Sequence, residues 1–151
     1  MPNQPVIAPN RTAPITVLSV SPLEGDHTAL EAIIRHSNWA LFKADSPSVA
    51  GSILHRQDVS VVLCERDLKP GTWTDLLDHI KDWQRSPSLI VTSRVADERL
   101  WAEAINLGAW DVLAKPFDRT EVLRSVKSAW QHWHDHNQIP TSGMKVMRVA
   151  S

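Results

Sequence analysis

Short apolar runs alternate along the chain with longer segments in which apolar residues recur every three or four positions. Short runs rich in β-branched residues are typical of strands, and the three-to-four spacing is typical of amphipathic helices. The runs predict five strands, at residues 15–20, 39–43, 59–64, 89–91 and 110–114. A helical pattern follows each strand. The inward-facing residues are predicted to be Leu30, Ile33 and Ile34 in the first helix, Val49, Ala50, Ile53 and Leu54 in the second, Leu76, Leu77 and Ile80 in the third, and Val122, Val126, Ala129, Trp130 and Trp133 in the fifth.

Local signals indicate where several of these helices begin and end. Ser46 before Pro47 is typical of an N-cap followed by the first helical residue. The third helix is predicted over residues 72–83 and the fourth over 96–107, where Gly108 suits the C-cap. Asp118 or Thr120 can cap the last helix.

Five strand–helix units in this order predict an α/β fold. Alternating strands and helices of this length favour a parallel sheet with helices on both faces, because each crossover must pack back onto the sheet. Residues 59–64 form the most continuous apolar run, as expected of a central strand. We therefore predict a flavodoxin-like (βα)5 three-layer sandwich with strand order 2-1-3-4-5.

The two ends of the chain lack this periodic pattern. Pro2, Pro5, Pro9 and Pro14 lie among polar residues at the start, so we interpret residues 1–14 as a disordered leader. The folded domain is predicted over 15–136, and residues 137–151 are expected to form a flexible tail.

Composition excludes several classes of function. A chain of 151 residues suits one domain, and a net charge of -1 provides no field that would recruit nucleic acid or an anionic membrane. The sequence has no apolar run of the ~20 residues that a membrane helix needs, and no signal peptide pattern. The single cysteine, Cys64, forms no internal disulfide and fits a cytoplasmic location.

The segment GAWDVLAKPFD, residues 108–118, resembles the end of a response-regulator receiver domain of the CheY-like family. Together with the five units in order, the resemblance covers about residues 15–134. It implies an acid pair that binds Mg²⁺ after strand one and a phosphoacceptor aspartate at the end of strand three. It also implies a switch hydroxyl ending strand four, and a lysine after strand five that pairs with the phosphate.

Some of these positions are kept and others are lost. The resemblance places the lysine at Lys115, the switch hydroxyl at Ser93 with Thr92 as its neighbour, and a candidate cis proline at Pro116. The acid pair falls on Ser19 and Val20. The nearest acids, Glu24 and Asp26, lie in the following loop or first helical turn. Because Mg²⁺ in proteins is held through carboxylates, we expect Mg²⁺ binding to be lost and no other cofactor to replace it.

The phosphoacceptor position holds no aspartate on either alignment of the loop. Counting by strand length or by Gly71 places Glu65 there, and counting back from Pro70 places Arg66 there. Asp67, two residues beyond Glu65, is the alternative acid. Glu65 can reach Lys115 and Ser93 and so imitate a phosphorylated aspartate, or it can form an ordinary solvent-exposed pair with Lys115. Ser93 can equally cap the fourth helix.

Trp101 and Trp110 mark a candidate contact surface on helix four, strand five and helix five. Tryptophan is enriched at the centres of protein interfaces. Val112 stands at the strand-five position where the family often has an aromatic switch. His132 and His136 share a helix face, but with few other ligands nearby we predict no metal site.

These observations favour a stand-alone degenerate receiver, a pseudo-receiver that acts in bacterial signal transduction as a protein-protein interaction module. It would bind a protein partner or a second copy, without normal aspartate phosphorylation and without enzyme activity. The alternative is a phosphorelay receiver that accepts phosphate on a displaced acid such as Asp67 or Asp26, which requires two or more carboxylates near Lys115. A remote alternative is a small flavodoxin-like enzyme or cofactor binder.

Overall fold

The computed structural model describes residues 15–138, and the predicted leader and all but the first two residues of the predicted tail lie outside that range. The five strands are β1 (Thr16–Val20), β2 (Ala40–Ala44), β3 (Val61–Glu65), β4 (Ser88–Ser93) and β5 (Asp111–Ala114). The five helices are α1 (Glu24–Ile34), α2 (Pro47–Arg56), α3 (Trp73–Ile80), α4 (Glu98–Leu107) and α5 (Arg119–Gln138).

The strands form one parallel sheet in the order β2-β1-β3-β4-β5, which confirms the predicted topology. The sheet is covered on both faces. One core cluster joins the sheet to α2, α3 and α4, and the other joins it to α1 and α5. Every residue of β3 is buried, as its continuous apolar run predicted.

The ends of the helices follow the local signals with small shifts. Ser46 accepts a hydrogen bond from the Val49 amide, and Gly108 ends α4 with a φ of 115°, which favours glycine. Asp118 caps α5 by accepting from the Glu121 amide at 3.0 Å. The helix α5 runs through residue 138, two residues into the segment predicted as tail.

The parallel arrangement brings the carboxyl ends of the strands to one edge of the sheet. Glu65 ends β3, Ser93 ends β4, and Lys115 follows β5 directly. The Lys115 amide donates to the Ser93 carbonyl at 3.0 Å, which holds these two strand ends together. Within residues 15–138, no helix is long and apolar enough to cross a membrane.

Candidate functional site

Lys115 lies at the centre of the site, with its ammonium between two carboxylates. The Nζ atom lies 2.7 Å from an Asp26 oxygen and also contacts a Glu65 oxygen directly. The side chains of Lys115 and Glu65 are only 6% and 7% exposed, and that of Asp26 is 13% exposed. Three charged groups are thus enclosed where strands β3 and β5 end and α1 begins.

Glu65 points into the site rather than toward solvent. One carboxylate oxygen contacts Lys115, and the other accepts a hydrogen bond from the Asp67 amide at 2.8 Å. Both oxygens are therefore engaged. This burial is inconsistent with the alternative of a solvent-exposed pair between Glu65 and Lys115.

Asp26 is the site residue that the family pattern did not identify. It lies in the first turn of α1, as the sequence indicated, but its carboxylate turns back toward the strand ends. The same oxygen that contacts Lys115 also accepts from the Ser21 hydroxyl at 2.6 Å. Asp26 lies in α1 and Ser21 directly follows β1. Through these two contacts, the Asp26 carboxylate connects the end of β1 and the start of α1 to Lys115.

The positions aligned with the family's acid pair, Ser19 and Val20, lie inside β1 and not after it. Neither these residues nor Ser21 and Pro22, which follow the strand, carry a negative charge. Val20 is fully buried in the core, and the Ser19 hydroxyl lies 2.8 Å from Nδ1 of the buried His27. His27 Nε2 lies 2.9 Å from the Ser21 carbonyl, which can only accept, so Nε2 donates. In the neutral ring, Nδ1 then accepts from Ser19. The Ser19 hydroxyl and both ring nitrogens of His27 are thus hydrogen-bonded beneath the site.

Ser93 faces the site, but its hydroxyl is used locally. It accepts from the Val95 amide at 3.0 Å, and among the described residues no hydrogen bond joins it to Glu65. The cap of α4 is Asp97, which accepts from the Leu100 amide at 2.9 Å. The alternative that Ser93 caps α4 is therefore wrong. Its neighbour Thr92 is buried and pairs in register with Glu65 across β3 and β4.

Asp67, the alternative acid, points away from Lys115. Its side chain is 70% exposed and pairs with Arg66 at 3.2 Å. This hydrogen bond raises the pKa of the Arg66 guanidinium. Next to Glu65 on the strand, burial together with the Glu65 charge raises the pKa of the Cys64 thiol well above its ordinary value. The thiol therefore stays protonated and is a poor nucleophile.

The peptide bond between Lys115 and Pro116 is cis. Two open clefts flank Lys115, of about 350 and 700 Å³. Both are lined by Pro22, Leu23 and the exposed Arg94 as well as by Lys115. Within residues 15–138, no group of three or more potential metal ligands of the His, Cys, Asp or Glu type comes together.

The two tryptophans of the candidate contact surface differ in their exposure. Trp101, on α4, is 52% exposed. Trp110 is half-buried just before β5 and stacks on His132, with ring centroids 4.6 Å apart. Val112, at the position of the family's aromatic switch, packs partly buried against the core.

Comparisons with known proteins agree with this geometry. The family model described as response regulator receiver domain matches residues 26–127. Similar solved structures include the signal receiver domain of an HD domain-containing protein from Pseudomonas fluorescens Pf-5, with 24% identity and a TM-score of 0.77 over 88% of this chain and 98% of that chain.

Two further receiver structures have the same fold. A response regulator from Thermotoga maritima has 20% identity and a TM-score of 0.72 over 79% of this chain and 99% of that one. The chemotaxis response regulator CheY4 of Vibrio cholerae has 13% identity and a TM-score of 0.70 over 78% and 99% of the two chains. No curated protein sequence matches the chain significantly.

Proposed function

The chain belongs to the response regulator receiver domain family, and we propose that it is a member that has lost phosphoryl acceptance and binds its protein partner in one fixed state. Receiver domains act in signal transduction, and the matched region covers most of this chain. The proposal concerns the degenerate character of the site and the interaction that replaces phosphorylation. It also places the protein in the cytoplasm, as a binding module without enzyme activity.

The observation that carries the proposal is the enclosed contact of Lys115 with Glu65 and Asp26. Phosphoryl transfer to a carboxylate needs cations that neutralise the moving group and an acceptor oxygen held in line with the bond that breaks. Here the carboxylate in the acceptor position is glutamate, and both of its oxygens are already bonded. The lysine that would meet a phosphate is bonded to two carboxylates instead.

The residues around Lys115 do not fit a bound Mg²⁺. Mg²⁺ requires a near-octahedral shell of oxygens and is usually bound through one or two carboxylates. Ser19 is committed to His27, and Val20 has no oxygen in its side chain. The two nearby carboxylates already bind the ammonium of Lys115. We therefore propose that no Mg²⁺ cofactor acts at this site.

The same contacts support a single fixed state. Lys115 connects α1 through Asp26 and β3 through Glu65 to the loop that enters α5. Val112 has no ring that can move between buried and exposed positions, as the family's aromatic switch residue does. A protein with one populated conformation binds its partner without a prior shift in conformational population.

The test of this proposal is incubation of the purified protein with acetyl phosphate and Mg²⁺, followed by intact-mass measurement. We expect no stoichiometric gain of a phosphate, because the acceptor position is an engaged glutamate. Glu65→Asp is the informative companion, since it shortens the side chain to that of the usual acceptor. A full phosphate gain in the unmodified chain would refute the proposal.

A second candidate, a receiver phosphorylated on a displaced acid, is favoured by one observation. Two carboxylates, Asp26 and Glu65, do converge on Lys115, as that alternative requires. Of the displaced acids, Asp26 is better placed than Asp67, which faces solvent. A phosphate gain that Asp26→Asn abolishes and Asp67→Asn preserves would establish this candidate.

We propose that the partner surface lies on the α4, β5 and α5 face, with Trp101 as its exposed centre. We expect Trp101→Ala to weaken binding to the partner, or to a second copy, by roughly thirtyfold, the effect of removing one interface hot spot. Sedimentation at several concentrations measures self-association, and calorimetry measures binding to a partner isolated with the protein. The control is Val49→Ala, because Val49 is exposed and lies on α2, outside this face.

Trp110→Ala complements this measurement, but its interpretation requires that the variant stay folded, because Trp110 is half-buried. If both tryptophan variants are folded and bind as tightly as the original chain, the partner surface lies elsewhere, and α1 becomes the next face to test.

A further inference from the structure

A surface groove between α2 and α3 brings together two histidines from different helices. Its volume is about 460 Å³, and the small residues Ser48, Gly51 and Ser52 of α2 line one of its walls. His55 lies in the last turn of α2 and His79 in the last turn of α3, and both line the groove. Because the two histidines are far apart in the sequence, no motif spacing indicates that they meet.

The two imidazole rings approach each other across this groove. Their centroids are 5.6 Å apart, and the rings are nearly perpendicular. Nε2 of His79 lies 4.0 Å from the position that a Cβ atom would take at Gly51, so this nitrogen faces α2. His55 follows Gly51 by one helical turn and therefore projects from the same side of α2. The two side chains thus converge on one place in the groove.

The ring nitrogens of both histidines are available as ligands. Both residues are exposed at the surface. Trp83 packs against both rings, with centroids 5.0 and 5.4 Å away, and within residues 15–138 no hydrogen bond or ion pair engages either imidazole. A neutral imidazole carries one nitrogen that can bind a metal ion. Trp83 therefore supports the two rings without occupying their nitrogens.

The separation of the rings suits two imidazoles bound to one metal ion. A zinc ion lies about 2.1 Å from a histidine nitrogen. Each ring centroid then lies about 3.2 Å from the ion, and a tetrahedral angle at the ion separates the centroids by about 5.2 Å. The observed separation of 5.6 Å reaches this value with a small rotation of either side chain.

The chemistry of the groove determines which ions it can bind. Imidazole suits Zn²⁺, Ni²⁺ and Cu²⁺, with Cu²⁺ bound most tightly, whereas Mg²⁺ prefers oxygen ligands. Asp75, one turn before His79 on α3, lines the same groove and adds a negative charge. One Asp75 oxygen accepts from the Thr72 amide at 2.9 Å. The other oxygen can accept a hydrogen bond from a water molecule on the ion.

We propose that His55 and His79 bind one divalent transition metal ion between α2 and α3, with water in the remaining coordination positions. A site with two protein ligands agrees with the finding that no three potential ligands come together within residues 15–138. The site uses none of the residues around Lys115, so it does not depend on the proposed function.

Isothermal titration calorimetry of the full-length protein with Zn²⁺, and separately with Cu²⁺, tests this proposal. We expect a saturable site that His55→Gln and His79→Gln each weaken by at least about tenfold to a hundredfold, since even the loss of an outer partner of a metal ligand has an effect of that size. Mg²⁺ should give no heat that depends on either histidine. Cooperative urea unfolding shows that both variants are folded, as the exposure of the two residues predicts.

The matched control is the double variant His132→Gln, His136→Gln. It removes the other close pair of histidines, whose ring centroids lie 4.3 Å apart on α5. We expect this variant to bind Zn²⁺ and Cu²⁺ at the α2–α3 site as tightly as the original chain. No saturable binding in the original chain overturns the proposal, as does binding that His55→Gln and His79→Gln leave unchanged or that the α5 variant weakens equally.

Discussion

Lys115→Met will lower the free energy of unfolding by about 3–5 kcal/mol, the largest effect we expect from a single substitution outside the apolar core. The substitution keeps the volume of the side chain but removes its charge. Asp26 and Glu65 then remain enclosed without a cation. Such an uncompensated charge costs far more than the loss of an exposed ion pair. Urea unfolding followed by far-UV circular dichroism measures the difference.

Two further variants separate this explanation from a general loss of packing. Lys43→Met removes an exposed lysine that lies 3.5 Å from Glu31, and should cost no more than about 1 kcal/mol. The triple variant Lys115→Met, Asp26→Asn, Glu65→Gln removes all three charges and should regain most of the lost stability. If the triple variant is as unstable as Lys115→Met alone, the cost does not come from the unpaired carboxylates.

His27→Ala will lower the free energy of unfolding by about 3 kcal/mol, although His27 is not itself part of the charged network. The side chain is buried, and both ring nitrogens are hydrogen-bonded, one to Ser19 and one to the Ser21 carbonyl. Its removal leaves two buried polar groups without partners and opens a cavity, and each of these effects costs one to several kcal/mol. Equilibrium urea unfolding again gives the measurement.

The control for this prediction is His36→Ala, because His36 is exposed and should matter little, within about 0.5 kcal/mol. His27 also fixes the backbone of Ser21, whose hydroxyl donates to Asp26. We therefore expect His27→Ala and Lys115→Met to be non-additive when combined. A loss in His27→Ala no greater than that in His36→Ala would show that the Ser19–His27 pair does not stabilise the fold.

The topology could be predicted from the sequence because it depends on the pattern of apolar residues, which the burial of each strand and helix requires. A strand buried on both faces must be largely apolar, and residues 61–64 are apolar in the sequence and fully buried in β3. The sequence predicts the ends of the helices less accurately than the order of the elements. The third helix was predicted to reach residue 83 but ends at Ile80, where a turn places the Trp83 amide on the Ile80 carbonyl. The three-residue spacing of Ile80 and Trp83 imitates one more helical turn.

The site could be predicted only as far as the resemblance to the receiver family extends. That resemblance assigned Glu65, Ser93 and Lys115, and the structure places each of them at the end of β3 or β4 or directly after β5. The role of Asp26 depends on the angle at which α1 leaves the sheet, which no local pattern encodes. The hydrogen bond of the Ser93 hydroxyl could not be predicted either, because the turn after β4 determines that it accepts from the Val95 amide.

The contacts of Lys115 also bear on how the domain loses its structure over time. They join residues that are 50 and 89 positions apart in the sequence, so their formation requires the closure of long loops, and we expect them to form late in folding. Interactions that are absent from the folding transition state leave the folding rate nearly unchanged and slow the unfolding rate. We therefore expect the ion pairs of Lys115 mainly to slow unfolding. A slower unfolding rate lengthens the lifetime of the native state, which governs resistance to irreversible inactivation.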